Sequence, residues 1–207
     1  SEILNADRNY TVYLPAGYAN NTDKQYPVLY LLHGMNGTNK DWAGRGHLQD
    51  VMDQLRAAGE VCDMIVISPN AGGNIGEGVW NGYFDMEGWA YERFFFEEFL
   101  PAVEKEYRIK GDKASRAIAG LSMGGFHAMH ISKENADMFD YVGLFSAAVF
   151  RGDAATSSVY ADMEQKLKVQ FAKRPHLYWI AIGDKDFLYE ENVKYRALLD
   201  AEGYDYQ

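Results

Sequence analysis

Apolar positions along the chain fall into strand-like runs and helix-like spacings that take turns from one end to the other. Residues 9–14 alternate polar and apolar side chains up to Pro15, which predicts a strand with one exposed face. Residues 28–32, 64–68, 116–119, 141–145 and 177–182 are short apolar runs without alternation, as expected of buried, parallel central strands. Between them the spacing predicts helices over 48–58 (closed by Gly59), 91–107, 124–133, 160–172 and 189–201 (closed by Gly203). Pro101 lies inside the second helix. It lacks an amide hydrogen and clashes with the preceding turn, so one kinked helix is expected there. Strands alternating with helices make an α/β sandwich around a mostly parallel sheet. No repeat, low-complexity tract or linker divides the 207 residues, so a single domain is expected.

Composition narrows the function classes. The chain is 47% apolar and 14% aromatic, enough to fill a sizeable core. Its formal charge is −10 and it has no run of Lys or Arg, which argues against a nucleic-acid partner. No apolar stretch approaches the roughly 18–20 residues that cross a bilayer, and the N-terminus lacks a signal-peptide pattern. The single cysteine, Cys62, has no partner for an internal disulfide; next to the apolar run 64–67 it is expected to be a buried structural thiol.

One motif carries chemistry. Gly120-Leu121-Ser122-Met123-Gly124 matches Gly-x-Ser-x-Gly, with the apolar run 117–119 leading into it and a helix-compatible segment, 125–130, following. A strand, a tight turn and a helix in that order form a nucleophile elbow. The glycines two before and two after the serine permit strained backbone and close approach. Ser122 is then the nucleophile, and the Met123 amide, at a helix N-terminus, is an oxyanion donor. The loop after the earlier strand, Leu31-Leu32-His33-Gly34-Met35, offers the Met35 amide as the second donor. His33 is read as shaping that loop, with general base as the alternative. The acid is expected after a later strand, at Ile182-Gly183-Asp184-Lys185-Asp186. Asp186 begins the loop before the next helix and is preferred, while Asp184 is expected to bond the turn or pair with Lys185. Read instead as a metal site, the two carboxylates lack a neighbouring His or acidic cluster.

These segments, together with Tyr30-Leu31-Leu32-His33-Gly34, Asp41-Trp42 and Phe94 to Pro101, resemble the esterase family that includes esterase D and the feruloyl and acetylxylan esterases of carbohydrate esterase family 1. The resemblance runs along nearly the whole chain and implies an α/β-hydrolase fold. It also implies Ser122 as nucleophile, Asp186 as acid, the Met35 and Met123 amides as oxyanion donors, no metal or organic cofactor, and a secreted or periplasmic setting. The substrate it implies is an ester, small or linked to plant cell-wall polysaccharide. Substrate choice is expected to rest on residues 72–88, whose Trp80, Tyr83 and Phe84 either stack on a hydroxycinnamate or sugar ring or pack the loop on its own domain. Same-fold alternatives are a thioesterase similar to S-formylglutathione hydrolase and an acyltransferase similar to the mycolyltransferases. An alternative of another class is a catalytically silent carbohydrate-binding relative.

The base is the gap in this reading. His33, His47, His127, His130 and His176 all precede Asp186, whereas the family order places the histidine after the acid. His127 and His130 lie along the helix behind the sheet, His176 precedes its strand, and His47 is the least implausible substitute. Residues 204–207 resemble the opening of a further edge strand. The expectation is a C-terminally truncated domain lacking its last strand, histidine loop and closing helix, roughly 30–50 residues in all, with negligible activity and a tendency to self-associate.

Overall fold

The computed structural model describes residues 1–71, 90–150 and 158–207. Six strands, β1 (Tyr10–Tyr13), β2 (Val28–Leu32), β3 (Ile65–Pro69), β4 (Arg116–Leu121), β5 (Tyr141–Phe145) and β6 (Leu177–Ala181), form one sheet in the order β1-β3-β2-β4-β5-β6. β1 runs antiparallel to β3 and every other pair is parallel, as the unalternating apolar runs require.

The helices are α1 (Asp41–Gly44), α2 (Leu48–Ala58), α3 (Ala90–Arg93), α4 (Leu100–Glu106), α5 (Met123–Glu134), α6 (Met163–Ala172) and α7 (Tyr189–Ala201). Strand side chains alternate between two cores because successive residues point to opposite faces. Tyr30, Leu32, Ile67, Ile118 and Leu144 join the larger core with α4, α5, α6 and α7, whereas Leu31, Val66 and Ala119 meet Leu48 and Met52 of α2. α2 ends where the sequence predicts, at Gly59, whose φ of 73° is left-handed.

The kink expected at Pro101 takes a specific form. α3 and α4 are joined by a π-helical segment, Phe94–Phe99, in which the Leu100 amide reaches back five residues to the Phe95 carbonyl. Widening the turn by one residue shifts the carbonyl that a proline ring would strike and leaves no α-type acceptor waiting for its missing hydrogen. The same turn directs Phe94, Phe95 and Phe99 into the core.

Three expectations need correction. β6 is not fully buried: Trp179 is 40% exposed, and only Tyr178 along the strand is buried, while Gln207 lies along it, accepting from the Ile180 amide (2.7 Å) and donating to the Tyr178 carbonyl (2.9 Å), where a further strand was expected to open. Cys62 is exposed because β3 starts only at Ile65, which leaves the cysteine in the turn before the strand. The helix expected over 160–172 starts at Met163, after a 3-10 turn over Ser158–Tyr160. Among the described residues no helix is long and apolar enough to cross a membrane.

Candidate active site

β4 passes directly into α5 through Ser122, whose backbone (φ 55°, ψ −113°) lies where L-residues rarely settle. The flanking glycines make this possible by close approach. A Cβ on Gly120 would stand 2.3 Å from the Gly124 carbonyl atoms, and one on Gly124 would stand 2.5 Å from the His33 oxygen. The elbow is pinned by its own backbone: the Ser122 amide donates to Phe145 (2.9 Å), and its carbonyl accepts from Phe126 and Ala148 (3.0 Å each). Met123 opens α5, so its amide belongs to the first turn, where no intrahelical acceptor exists.

The loop after β2 closes on this elbow. A Cβ on Gly34 would stand 3.6 Å from that of Ser122, so the His33-Gly34-Met35 backbone runs beside the serine. His33 is 1% exposed and held by backbone. Its Nε2 accepts from the Ala71 amide (3.1 Å), which leaves Nδ1 to carry the hydrogen and donate to the Gly34 carbonyl (2.7 Å). His33 is therefore the loop-shaping residue of the two readings. Trp42 adds a strut, its indole donating to the Leu32 carbonyl (3.1 Å). Neither the Met35 nor the Met123 amide donates to an acceptor among the described residues.

After β6 the chain turns through residues 183–188 into α7. One expectation is corrected here: the turn bond expected of Asp184 belongs to Asp186, whose Oδ1 accepts from the Leu188 amide (2.9 Å), while Asp184 is exposed. A carboxylate three residues before a helix, with amides ahead of it, makes this turn by local geometry, whereas Asp184 is still leaving the strand. Asp186 keeps its second oxygen for another donor and is half-buried. Among the described residues no group of three metal-ligating side chains converges.

The five histidines sit as the chain order predicts. His127 stacks on Tyr91 (centroids 5.2 Å apart), and His130 bonds Glu92 through Nε2 (3.0 Å), both on the buried side of α5. His176 packs on Tyr141 at the start of β6, and His47 caps α2 with a 72% exposed side chain. Among the described residues no histidine hydrogen-bonds Ser122. Trp80 and Tyr83, the expected substrate-binding residues, lie outside the described residues, as does Phe84. Asn192 had no sequence signal: it is fully buried on α7 and bonds the Ala147 carbonyl beside the elbow.

Comparison with known proteins bears on the family and the fold. The family model described as "Putative esterase" matches residues 1–202. An endo-1,4-beta-xylanase/feruloyl esterase of Xylanibacter ruminicola is 34% identical over 153 residues, 72% of this chain and 21% of that protein. The chain spans less than a third of the length of the curated relatives it matches. A solved ferulic acid esterase is 44% identical and superposes with a TM-score of 0.88 over all of this chain and 85% of its own. A carbohydrate esterase family 1 ferulic acid esterase from Anaeromyces mucronatus, 21% identical, shares the fold with a TM-score of 0.79 over 100% of this chain and 78% of its own. An α/β-hydrolase-type sheet, a serine elbow and a family match along nearly the whole sequence converge, and the chain belongs to the esterase family.

Proposed function

We propose that this chain is the catalytic portion of a serine carboxylic ester hydrolase that releases feruloyl or acetyl groups from plant cell-wall polysaccharide outside the cytoplasm. The observation that carries the reading is Ser122 in left-handed backbone between β4 and α5, strain that a binding module has no use for. The acyl preference is supported by relatives named for feruloyl ester cleavage at 34% and 44% identity.

In this reading the Ser122 Oγ attacks the ester carbonyl as its proton passes to a histidine base, and the carbonyl oxygen becomes an oxyanion facing the Met35 and Met123 amides. The C–O bond breaks, the alcohol leaves with the base's proton, and water then releases the acid and restores the serine. Asp186 orients the base and stabilises its cation. None of the five histidines is placed for that work, and a histidine carried beyond Gln207 would complete the set. Recognition of the acyl group is assigned in this proposal to Trp80 and Tyr83. Self-association through the exposed Trp179 face of β6 belongs to the same reading.

Ser122→Ala in an active form of the enzyme should lower turnover of an aryl acetate by at least about a thousandfold and leave folding intact. Unchanged turnover would reject the nucleophile. Trp80→Ala should reduce hydrolysis of methyl ferulate far more than that of an aryl acetate, because a small acetyl group needs no aromatic wall. A parallel fall on both substrates would assign the ring to packing instead.

A further inference from the structure

The loop that carries Asp186 and the elbow that carries Ser122 come from elements far apart in sequence, and a triad requires them to hold a fixed separation. One buried side chain joins them. Asn192, in the first turns of α7, is 0% exposed, and its Nδ2 donates both hydrogens to backbone: one to the Leu188 carbonyl (2.9 Å) and one to the Ala147 carbonyl (2.8 Å). Two carbonyl neighbours accept only, so they fix which end of the amide faces them.

Each of those carbonyls belongs to a segment holding a site residue. On one side, the Leu188 amide donates to Asp186 Oδ1 (2.9 Å) and the Tyr189 amide to the Asp186 carbonyl (3.0 Å). On the other, Ala147 is wedged against Gly125, where an added Cβ would stand 2.8 Å from the alanine's own, and the next amide, Ala148, donates to the Ser122 carbonyl (3.0 Å). The path from Asp186 through Leu188, Asn192, Ala147 and Ala148 to Ser122 consists of hydrogen bonds and single peptide steps. We propose that Asn192 is a positioning residue that locks the acid loop to the nucleophile elbow through its paired bonds to the Leu188 and Ala147 carbonyls. The inference rests on the triad reading above.

Two variants separate positioning from folding, measured in the full-length esterase. Asn192→Leu keeps the volume and removes both donors. Asn192→Thr keeps a hydroxyl able to bond the Leu188 carbonyl one turn back but cannot reach Ala147. With rates normalised to sites titrated by a fluorophosphonate, both variants should lose roughly ten- to a hundredfold in kcat with KM little changed. The acidic limb of the kcat/KM profile should move to lower pH, because a loosened carboxylate supports the base's cation less well. Wild-type kcat per titrated site and an unmoved acidic limb in both variants, even with a lowered Tm, would overturn the proposal and leave Asn192 a purely structural residue. Full rescue by Thr would equally overturn it, since the bond to Ala147 would then be dispensable. Ser122→Ala measured alongside distinguishes the two failures. Turnover retained there rejects the triad itself, whereas turnover lost there with normal Asn192 variants rejects only the lock.

Discussion

Asp186 and Asp184 stand two residues apart in different surroundings, and this makes their roles separable. In Asp186→Asn the amide oxygen still accepts from Leu188, so the turn survives, but the charge that would orient the base is gone. Turnover should fall roughly a thousandfold or more, while Asp184→Asn, altering an exposed side chain, should leave it near wild type. A large loss in Asp184→Asn alone would reverse the assignment. The elbow at Ser122 and the turn at Asp186 were legible in the sequence because a strand-to-helix passage of each kind leaves a local motif. Asn192 was not, because its partner Ala147 lies 45 positions away and an asparagine inside a helix carries no local mark.

Elements with terminators announced their limits, and α2 and α7 run over the predicted residues because apolar spacing and a closing glycine agree. The π segment did not, since apolar spacing through Phe94 to Phe99 is compatible with either turn width. Within α5, Gly124 is held by sterics as much as by the turn. Gly124→Ala would press a methyl within 2.6 Å of two backbone oxygens on β2 and its loop, so it should cost about 1–3 kcal/mol and misplace the serine. Wild-type stability and turnover in this variant would show that β2 yields. The far end of α5 carries a charge cluster: Lys133, with its side chain fully buried, bonds Glu134 (2.5 Å), which also takes Lys166 (2.9 Å). Burial works to raise the Glu134 carboxyl, but the two lysines hold it below the usual carboxylate range. Its stabilisation is therefore present above the unfolded value of 4.5 and lost as pH falls through the lower folded value. Glu134→Gln should destabilise by about 3 kcal/mol at pH 7, leaving Lys133 poorly compensated, and by much less in acid. Denaturant melts of both proteins at neutral and acidic pH check this, and an equal loss at both would contradict it.

Among the described residues the sheet is covered unevenly. On the α2 side, Leu29, Ala117, Tyr141, Phe145, Leu177 and Trp179 line a shallow hollow of about 160 Å³ over β4, β5 and β6. Open apolar surface of this kind favours association. The 207-residue chain should sediment as concentration-dependent oligomers, and Trp179→Lys should shift it toward monomer, whereas monomers at every concentration would exclude that route. The alternation of strands with helices around a mostly parallel sheet was legible from apolar runs, but the spatial order of the strands and the exposure of β6 were not, because an apolar run does not reveal which strands its own will neighbour or what covers its faces. Stability of the whole also bears on the elbow, whose serine holds the backbone angles that a mirror-image amino acid would adopt at ease. Every native molecule therefore carries a small internal load at Ser122, of about 1–3 kcal/mol. Achiral glycine would release it: Ser122→Gly should melt at a higher temperature than Ser122→Ala, which keeps the Cβ. Selection for thermal tolerance alone would thus tend to replace Ser122 by glycine, and a serine kept at these angles is what the proposed nucleophilic role would require.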